Sequence, residues 1–181
     1  TGRSELIGAY QSYHGSTHGA LSLLGSEHQK MGYRPLLPGT QFIQFNNLED
    51  LEKITTKTAA VLLETIQGGA GFILPKNDYL LKVKARCEEV GALLILDEIQ
   101  PGFGRTGKFF GFEHFGVKPD IVVMGKGMGG GLPIGAFSAS HQLMKVLEDQ
   151  PKLGHITTFG GNPVIAAASL AQQAFAVYFA A

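Results

Sequence analysis

The stretch LLILDEIQPGFGRTGKFFGFEHFGVKPDIVVMGKG, residues 93–127, decides the fold. It contains two short apolar runs, residues 93–97 and 121–124, and a third run, residues 61–64, precedes it. Fully apolar runs of this length are typical of strands that are buried on both faces of a parallel sheet. Residues 77–90, between the first and second runs of the chain, have helical spacing. This alternation predicts an α/β fold with a mostly parallel sheet flanked by helices.

Shorter signals predict three further features of the helices. Residues 48–54 are expected to form a short helix before the run at 61–64, and Asn162-Pro163 is a cap and first turn for a last helix. In the helix at 77–90, Gly91 is a stop signal. The residues that recur there at helical spacing are Leu80, Leu81, Lys84, Cys87 and Val90.

The composition is that of a globular domain. Of the 181 residues, 44% are hydrophobic and 17% are charged, which is enough apolar material for a buried core. The 15 basic and 15 acidic residues cancel, so neither nucleic acid nor a membrane is expected as a partner. A single cysteine excludes an internal disulfide and a multi-cysteine metal site. His14 and His18 have no third ligand nearby, so no metal site is predicted.

The two ends of the chain carry expectations about location. Residues 1–15 contain no apolar signal segment, so we expect a cytoplasmic protein. Residues 164–181 carry no charge, but Ser169, Gln172 and Gln173 interrupt them. We therefore interpret this segment as a buried helix, or as a chain end that lacks its natural continuation, rather than as a membrane span.

Two glycine motifs suggest nucleotide binding but lack what that chemistry needs. Residues 102–108 nearly match a P-loop, yet Phe109 follows where a serine or threonine must hold magnesium. Residues 125–130 match the dinucleotide fingerprint formally, but the glycines and Pro133 that follow oppose the required helix. We therefore favour neither a nucleoside triphosphate nor a dinucleotide as the ligand.

An acid and a lysine follow two of the predicted strands. Asp97 ends one apolar run, and Lys126 comes just after the next, between Gly125 and Gly127. Ligands of α/β sheets bind beyond the carboxyl ends of the strands. A lysine there can form a Schiff base, and an aspartate can hold the protonated pyridine nitrogen of pyridoxal phosphate. Thr157 and Thr158, near a helix start, suit a phosphate.

At this point the sequence resembles a known family. The segment LDEIQPGFGRTGKFFGFEHFGVKPDIVVMGKGMGGGLPIGAF (96–137) is similar to the cofactor-lysine signature of class III (subgroup II) pyridoxal-phosphate aminotransferases. The segments YHGSTHGAL (13–21), ETIQGGAGF (64–72) and HITTFGGNPV (155–164) resemble the family's other site motifs in the same order. The similarity is greatest to acetylornithine and ornithine aminotransferases. It implies the large domain of a fold-type I enzyme with pyridoxal 5'-phosphate as cofactor.

The resemblance assigns the chemical roles. Lys126 would bind the cofactor covalently and then move the proton in the 1,3-shift. Asp97 would pair with the pyridine nitrogen, and Gln100 would approach the phenolic oxygen of the ring. The implied reaction transfers an amino group from acetylornithine, ornithine or a related ω-amine to a 2-oxo acid, with 2-oxoglutarate as the expected acceptor.

The resemblance also assigns the residues that surround the cofactor. Tyr13 would stack on the pyridine ring, and the adjacent His14 belongs to the same cofactor-binding set. Glu64 would lie in the wall of the site. Thr158 would bind the phosphate of the neighbouring subunit, which implies a homodimer.

The sequence also departs from the family. Where the family reads QGE, this chain has Gln67-Gly68-Gly69. In ornithine-type members the missing glutamate pairs with an arginine of the C-terminal domain, so its loss leaves the amino donor open. Residues 1–181 would form the cofactor-binding large domain in part, without the upstream phosphate loop and the C-terminal small domain. The abrupt ends of the chain suggest a piece of a longer protein.

Two alternative functions stay open at the level of sequence. One is an isomerase on the same scaffold, of the glutamate-1-semialdehyde 2,1-aminomutase type, which moves an amine within one molecule. The other is a non-catalytic truncated core that keeps the motifs but does not form a complete site.

Overall fold

The computed structural model describes residues 1–149 and 155–180, with the side chains of 149 and 178–180 left out. The chain divides into two compact units, which are described separately. The first unit is Thr1–Asp97 with Phe112–Pro119, and the second is Glu98–Gly111 with Asp120–Ala181.

The first unit is built on four parallel strands in the order β2-β1-β3-β4. They are β1 (Glu5–Ala9), β2 (Thr40–Ile43), β3 (Thr58–Glu64) and β4 (Leu93–Asp97). In the register of β3 and β4, Glu64 lies opposite Asp97. The carboxyl ends of these two strands therefore bring two acidic residues side by side.

Three α-helices and three 3₁₀ turns accompany these strands. The helices are α1 (His18–Ser22), α2 (Glu27–Lys30) and α3 (Tyr79–Val90). The 3₁₀ turns are Met31–Tyr33, Glu49–Lys53 and Gly111–Phe115, the last of which begins in the second unit. The short helix expected at 48–54 is thus a single 3₁₀ turn.

The long helix α3 confirms the helix that was predicted from its spacing. It ends at Gly91, whose φ of 73° is left-handed and costs a glycine little. Its buried face consists of Tyr79, Leu80, Val83, Cys87 and Val90. Of the five residues with helical spacing in the sequence, Leu80, Cys87 and Val90 lie on this face, whereas Leu81 is 41% exposed and Lys84 is half-buried.

The core of the first unit lies between α3 and the strands. Burying one of its larger aliphatic side chains contributes about 1.5–3 kcal/mol. The fully enclosed residues at its centre are Ile7, Ile43, Ile54, Val61, Leu63, Val83, Leu94 and Leu96. The residues before Glu64 and Asp97 belong to this core, so the acidic strand ends are rigidly placed.

The second unit contains an antiparallel strand pair and two helices. The strands are β5 (Ile121–Gly125) and β6 (Gly135–Ala139), and the helices are α4 (His141–Asp149) and α5 (Pro163–Ala180). Parallel pairing predominates over the two units, so the predicted α/β fold with a mostly parallel sheet is confirmed. None of the helices in the described part of the chain is long and apolar enough to cross a membrane.

The start of α5 is capped as its sequence predicted. The Asn162 side-chain Oδ1 accepts the backbone N–H groups of Val164 and Ile165, at 3.0 and 3.2 Å. These are donors that the first turn of a helix leaves without partners. The cap fixes where α5 begins, directly after the segment that carries Thr158.

Candidate functional site

An aspartate–histidine pair lies at the end of β4. Asp97 is 4% exposed, and its Oδ2 lies 2.8 Å from Nδ1 of His14. Because an ionised carboxylate can only accept hydrogen bonds, His14 Nδ1 is the donor. His14 Nε2 is also buried and has no hydrogen-bond partner among the described residues. The pair therefore holds the Asp97 carboxylate in one orientation.

A tight turn after β1 brings His14 to this position. Gln11 adopts a left-handed φ of 63°, and the Ser12 backbone N–H donates to the carbonyl of Ala9 at 3.3 Å. The Ser12 hydroxyl donates in turn to the carbonyl of Leu23. The chain is thereby reversed directly beyond the carboxyl end of β1, where ligands of parallel sheets bind.

Glu64 ties two segments of the site together. Its Oε2 accepts the backbone N–H of Tyr13 at 3.0 Å, and its Oε1 accepts that of Gly68 at 3.2 Å. Burial raises the pKa of Glu64 above its ordinary value of 4.5, while the two hydrogen bonds act in the opposite direction. The sequence predicts this carboxylate in the wall of the site, and the structure shows each of its oxygens accepting one backbone N–H group.

The Tyr13 side chain lies at the surface of the first unit. It is 46% exposed, and its hydroxyl lies 3.3 Å from the hydroxyl of Ser16. A side chain at Gly69 would begin 3.8 Å from the Tyr13 Cβ, in ordinary contact. A side chain at this position, where the family has a glutamate, would therefore fit in contact with the tyrosine.

Gln67 lies in one of the sequence motifs but was not among the predicted site residues. It is fully buried, and its Nε2 donates to the carbonyl of Tyr10 at 2.9 Å. Its backbone pairs with Ile73 through two hydrogen bonds of 3.0 and 3.1 Å, which closes the glycine-rich loop 67–73. The partner at Tyr10 is 57 residues away, so no local signal marks this contact.

Lys126 lies in the second unit, in a strained turn directly after β5. It is exposed and has a left-handed φ of 42°. The 3₁₀ turn Lys126–Gly129 follows, and Gly130 is left-handed with a φ of 58°. A left-handed conformation costs a residue with a side chain about 1–2 kcal/mol. Such strain persists only where neighbouring structure enforces it, and it is concentrated at functional sites.

Gln100 and Thr158 are the other predicted residues of the second unit, and both are exposed. Gln100 sits in a turn that is closed by the Gly102 backbone N–H donating to the carbonyl of Glu98 at 3.0 Å. Glu98, which the sequence did not single out, is fully buried, and its Oε2 accepts the N–H of Gly111 at 2.7 Å. Glu98 therefore anchors both ends of the loop that begins beside Gln100.

The structure brings together four of the seven predicted site residues. In the first unit, hydrogen bonds link His14 to Asp97 and Tyr13 to Glu64, and Glu64 lies opposite Asp97 in the strand register. The remaining three belong to the second unit, where each lies in a turn or loop. They are Gln100, Lys126 and Thr158.

These residues fit pyridoxal phosphate. The buried Asp97 offers a carboxylate of fixed orientation for a protonated pyridine nitrogen. The exposed Tyr13 ring offers a flat aromatic face, and the exposed Lys126 offers an amine. The buried His14 Nε2, which has no hydrogen-bond partner among the described residues, adds a polar atom beside Asp97. A carboxylate, an amine and an aromatic face are the groups that this cofactor requires.

Comparison with known proteins defines the class. Residues 1–176 match the aminotransferase class-III family. The match covers nearly the whole chain, and the chain belongs to this family. The resemblance seen in the motifs is thereby confirmed at the level of the family.

Particular relatives are similar over most of this chain but are much longer. The chain is 46% identical over 178 residues to a putrescine aminotransferase of Pectobacterium atrosepticum, and it spans 38% of that protein's length. It is 32% identical to the ornithine aminotransferase of Toxoplasma gondii, with a TM-score of 0.91, over 98% of this chain and 42% of the other. An (S)-enantioselective omega-transaminase of Thermomicrobium roseum gives 30% identity and a TM-score of 0.86, over 97% of this chain and 45% of the other.

Proposed function

We propose that this chain forms the cofactor-binding part of a pyridoxal-phosphate-dependent aminotransferase. The enzyme would transfer an amino group from an ω-amine to a 2-oxo acid, with 2-oxoglutarate as acceptor. The family match over residues 1–176 carries the proposal. The Asp97–His14 pair and the strained turn at Lys126 support it, because they supply the carboxylate and the amine that the cofactor needs.

Each residue has a physical task in this reaction. When bound, pyridoxal phosphate supplies an electron sink for negative charge at the amine-bearing carbon of the substrate. Asp97 would keep the pyridine nitrogen protonated, with His14 fixing the carboxylate. Tyr13 would cover one face of the ring, and Gln100 would donate to its phenolic oxygen. Lys126 Nζ would hold the cofactor and move the proton at the amine-bearing carbon.

The donor that we propose is an ω-amine such as putrescine, ornithine or acetylornithine. One relative is a putrescine aminotransferase and another is an ornithine aminotransferase. Gly69 supports a donor that does not depend on a carboxylate beside Tyr13, because this position carries no side chain.

We also propose a homodimer located in the cytoplasm. In it, Thr158 of one subunit would bind the cofactor phosphate of the other subunit. Two observations support this role: Thr158 is exposed, and it precedes the capped start of α5 by a short loop.

Borohydride reduction of the intact protein with pyridoxal phosphate tests the proposal. We expect peptide mass mapping to find a pyridoxyl group on Lys126. Lys126→Ala should remove the adduct and slow amino transfer at least about 100-fold, because proton transfer by a positioned base contributes that much. Lys108→Ala, which removes another exposed lysine of the second unit, serves as the control. This variant should retain both the pyridoxyl adduct on Lys126 and the rate of amino transfer.

The substrate assay distinguishes the alternatives. Putrescine, ornithine and acetylornithine are each offered with 2-oxoglutarate, and glutamate formation is measured. Rearrangement of an amine without an oxo acid would instead indicate an aminomutase. If Lys126 carries no adduct in the intact protein, the proposed function is wrong.

A further inference from the structure

The helix α5 packs against glycine turns of the second unit. A Cβ atom built on Gly130 would lie 3.5 Å from the Cβ of Gln172 and 3.6 Å from the carbonyl oxygen of Ala168. One built on Gly104 would lie 3.9 Å from Ala176. Residues 168, 172 and 176 share one face, because they are spaced four apart. This face of α5 therefore lies directly against the turn that follows Lys126.

Ser169, next to this face, joins the helix to the turn. Its hydroxyl donates to the backbone carbonyl of Met128 at 2.9 Å, and the residue is only 4% exposed. A serine inside a helix commonly bonds to the carbonyl four residues earlier or points to solvent. Here the hydroxyl instead reaches a carbonyl 41 residues away in the chain. The bond thus fixes one peptide group of the 3₁₀ turn Lys126–Gly129.

Among the described residues, the hydrogen bonds within the turn itself are local in sequence. The Gly130 N–H donates to the Gly127 carbonyl at 3.2 Å, and the Leu132 N–H donates to the Gly129 carbonyl at 3.0 Å. Four of the six residues from 126 to 131 are glycines that restrict the backbone little. Lys126 meanwhile sits in a left-handed conformation that a lysine does not favour. A contact from outside the turn is therefore needed to prevent relaxation.

We propose that Ser169 is a positioning residue for Lys126. By binding the Met128 carbonyl, its hydroxyl keeps the turn, and with it the lysine backbone, in the strained conformation that directs the amine. The role given to Lys126 rests on the proposed function. That Ser169 holds the turn rests on the hydrogen bond alone.

The test compares Ser169→Ala with Ser22→Ala in the intact protein. Ser22 is a matched control, because it is also a buried helix serine whose hydroxyl donates to a carbonyl, that of His18, and it lies in the first unit. Hydrogen exchange of the amides at Gly130 and Leu132 reports on the turn without any cofactor. We expect Ser169→Ala to speed this exchange about tenfold, and Ser22→Ala to leave it unchanged.

Two further measurements report on the lysine itself. Borohydride trapping at graded pyridoxal phosphate concentrations gives the concentration at which half of Lys126 is modified. A pH titration of the visible absorbance gives the pH at which half of the lysine-bound cofactor has changed its protonation state. In Ser169→Ala we expect the concentration for half-modification to rise about 5- to 10-fold. We also expect the pH midpoint of the absorbance titration to shift. A merely destabilised protein, such as Ser22→Ala, should show neither effect.

The outcomes separate this inference from the proposed function. Unchanged exchange at Gly130 and Leu132 in Ser169→Ala would overturn the inference, because the turn would not depend on the hydroxyl. Faster exchange with normal modification and an unchanged midpoint would also overturn it, since the turn would then not position the lysine. Equal effects in Ser22→Ala would show that the effects of Ser169→Ala come from general instability of the protein. Absence of any Lys126 adduct in the unsubstituted protein would instead disprove the proposed function, and hydrogen exchange alone would decide whether Ser169 holds the turn.

Discussion

At the scale of single residues, the hydrogen bond between His14 and Asp97 can be tested by substitution. His14→Ala removes the donor from a buried carboxylate at 2.8 Å. Hydrogen bonds to charged groups contribute about 1.5–3 kcal/mol, so we expect the dissociation constant of pyridoxal phosphate to rise about 10- to 100-fold. Titration of the cofactor-free protein, followed by visible absorbance, measures this constant.

His18→Ala is the matched control for that substitution. His18 is exposed and lies one turn further along the chain, so its loss should leave the dissociation constant unchanged. Equal weakening in both variants would show that His14 acts through general stability rather than through Asp97.

Glu64 is predicted to make stability depend on pH in a defined direction. Burial raises its pKa in the folded protein above the ordinary 4.5, so the folded state binds the proton more tightly than the unfolded state. The contribution of Glu64 to stability therefore falls as the pH rises from about 4.5 through the raised pKa, and is constant above it. Asp97 and His14 are the charged groups that face it, and they act with opposite signs.

Urea unfolding of Glu64→Gln and the unsubstituted protein, between about pH 4 and pH 8, measures this dependence. Glutamine does not titrate, so the free energy of unfolding of the variant minus that of the original should increase with pH over the window. A difference that is flat or decreases would contradict the raised pKa.

The sequence names candidate residues for the site, but it does not reveal their contacts. The motifs around Tyr13, Asp97 and Lys126 point to the chemistry because that chemistry needs an aromatic ring, a carboxylate and an amine. The His14–Asp97 bond joins residues 83 apart in sequence, and no local pattern encodes it. The left-handed backbone of Lys126 was likewise hidden, because sequence gives a lysine no reason to adopt it.

At the scale of elements, the ending of α3 provides a test of local geometry. Gly91 is left-handed, and a Cβ there would lie 3.0 Å from Nη2 of Arg3. The Arg3 Nη1 donates to the carbonyls of Val90 and Thr58, at 2.9 and 3.0 Å. Gly91→Ala should therefore lower the free energy of unfolding by about 2 kcal/mol, through backbone strain and displacement of the arginine.

Gly116→Ala separates these two causes. Gly116 is also left-handed, with a φ of 62°, but a Cβ there would meet nothing within 4 Å. We expect a loss of about 1 kcal/mol from strain alone. Urea unfolding of both variants measures the difference, and equal losses would show that Arg3 moves aside freely.

Strand prediction succeeded where burial on both faces leaves an apolar run. β3 and β4 are such strands, and β5 was found in the same way. β1 was missed because Glu5 and Gly8 interrupt its run, and β6 (GAFSA) was missed because its residues are small and only partly buried. Pattern reasoning therefore finds strands with an unbroken apolar run more readily than a strand such as β1, which has a neighbour on each side but contains a charged residue and a glycine.

At the scale of the whole molecule, the proposed homodimer can be tested by combining two inactive subunits. If Thr158 serves the neighbouring site, each site takes Lys126 from one subunit and Thr158 from the other. A dimer of one Lys126→Ala subunit and one Thr158→Val subunit then contains one intact site. With equal random mixing, half of the dimers are hybrid and have one intact site of two. Co-expression should restore about a quarter of the original activity.

The double variant provides the matched control for this experiment. When Lys126→Ala and Thr158→Val are placed in one subunit and mixed with an unsubstituted subunit, every hybrid site lacks either the lysine or the threonine. Only the unsubstituted dimers, about a quarter of the total, then retain two intact sites. Activity that is not restored in the first mixture, while each single variant still dimerises in size-exclusion chromatography, would mean that Thr158 serves its own subunit. Such a result would place the phosphate site within one chain, because a symmetric dimer allows only these two arrangements.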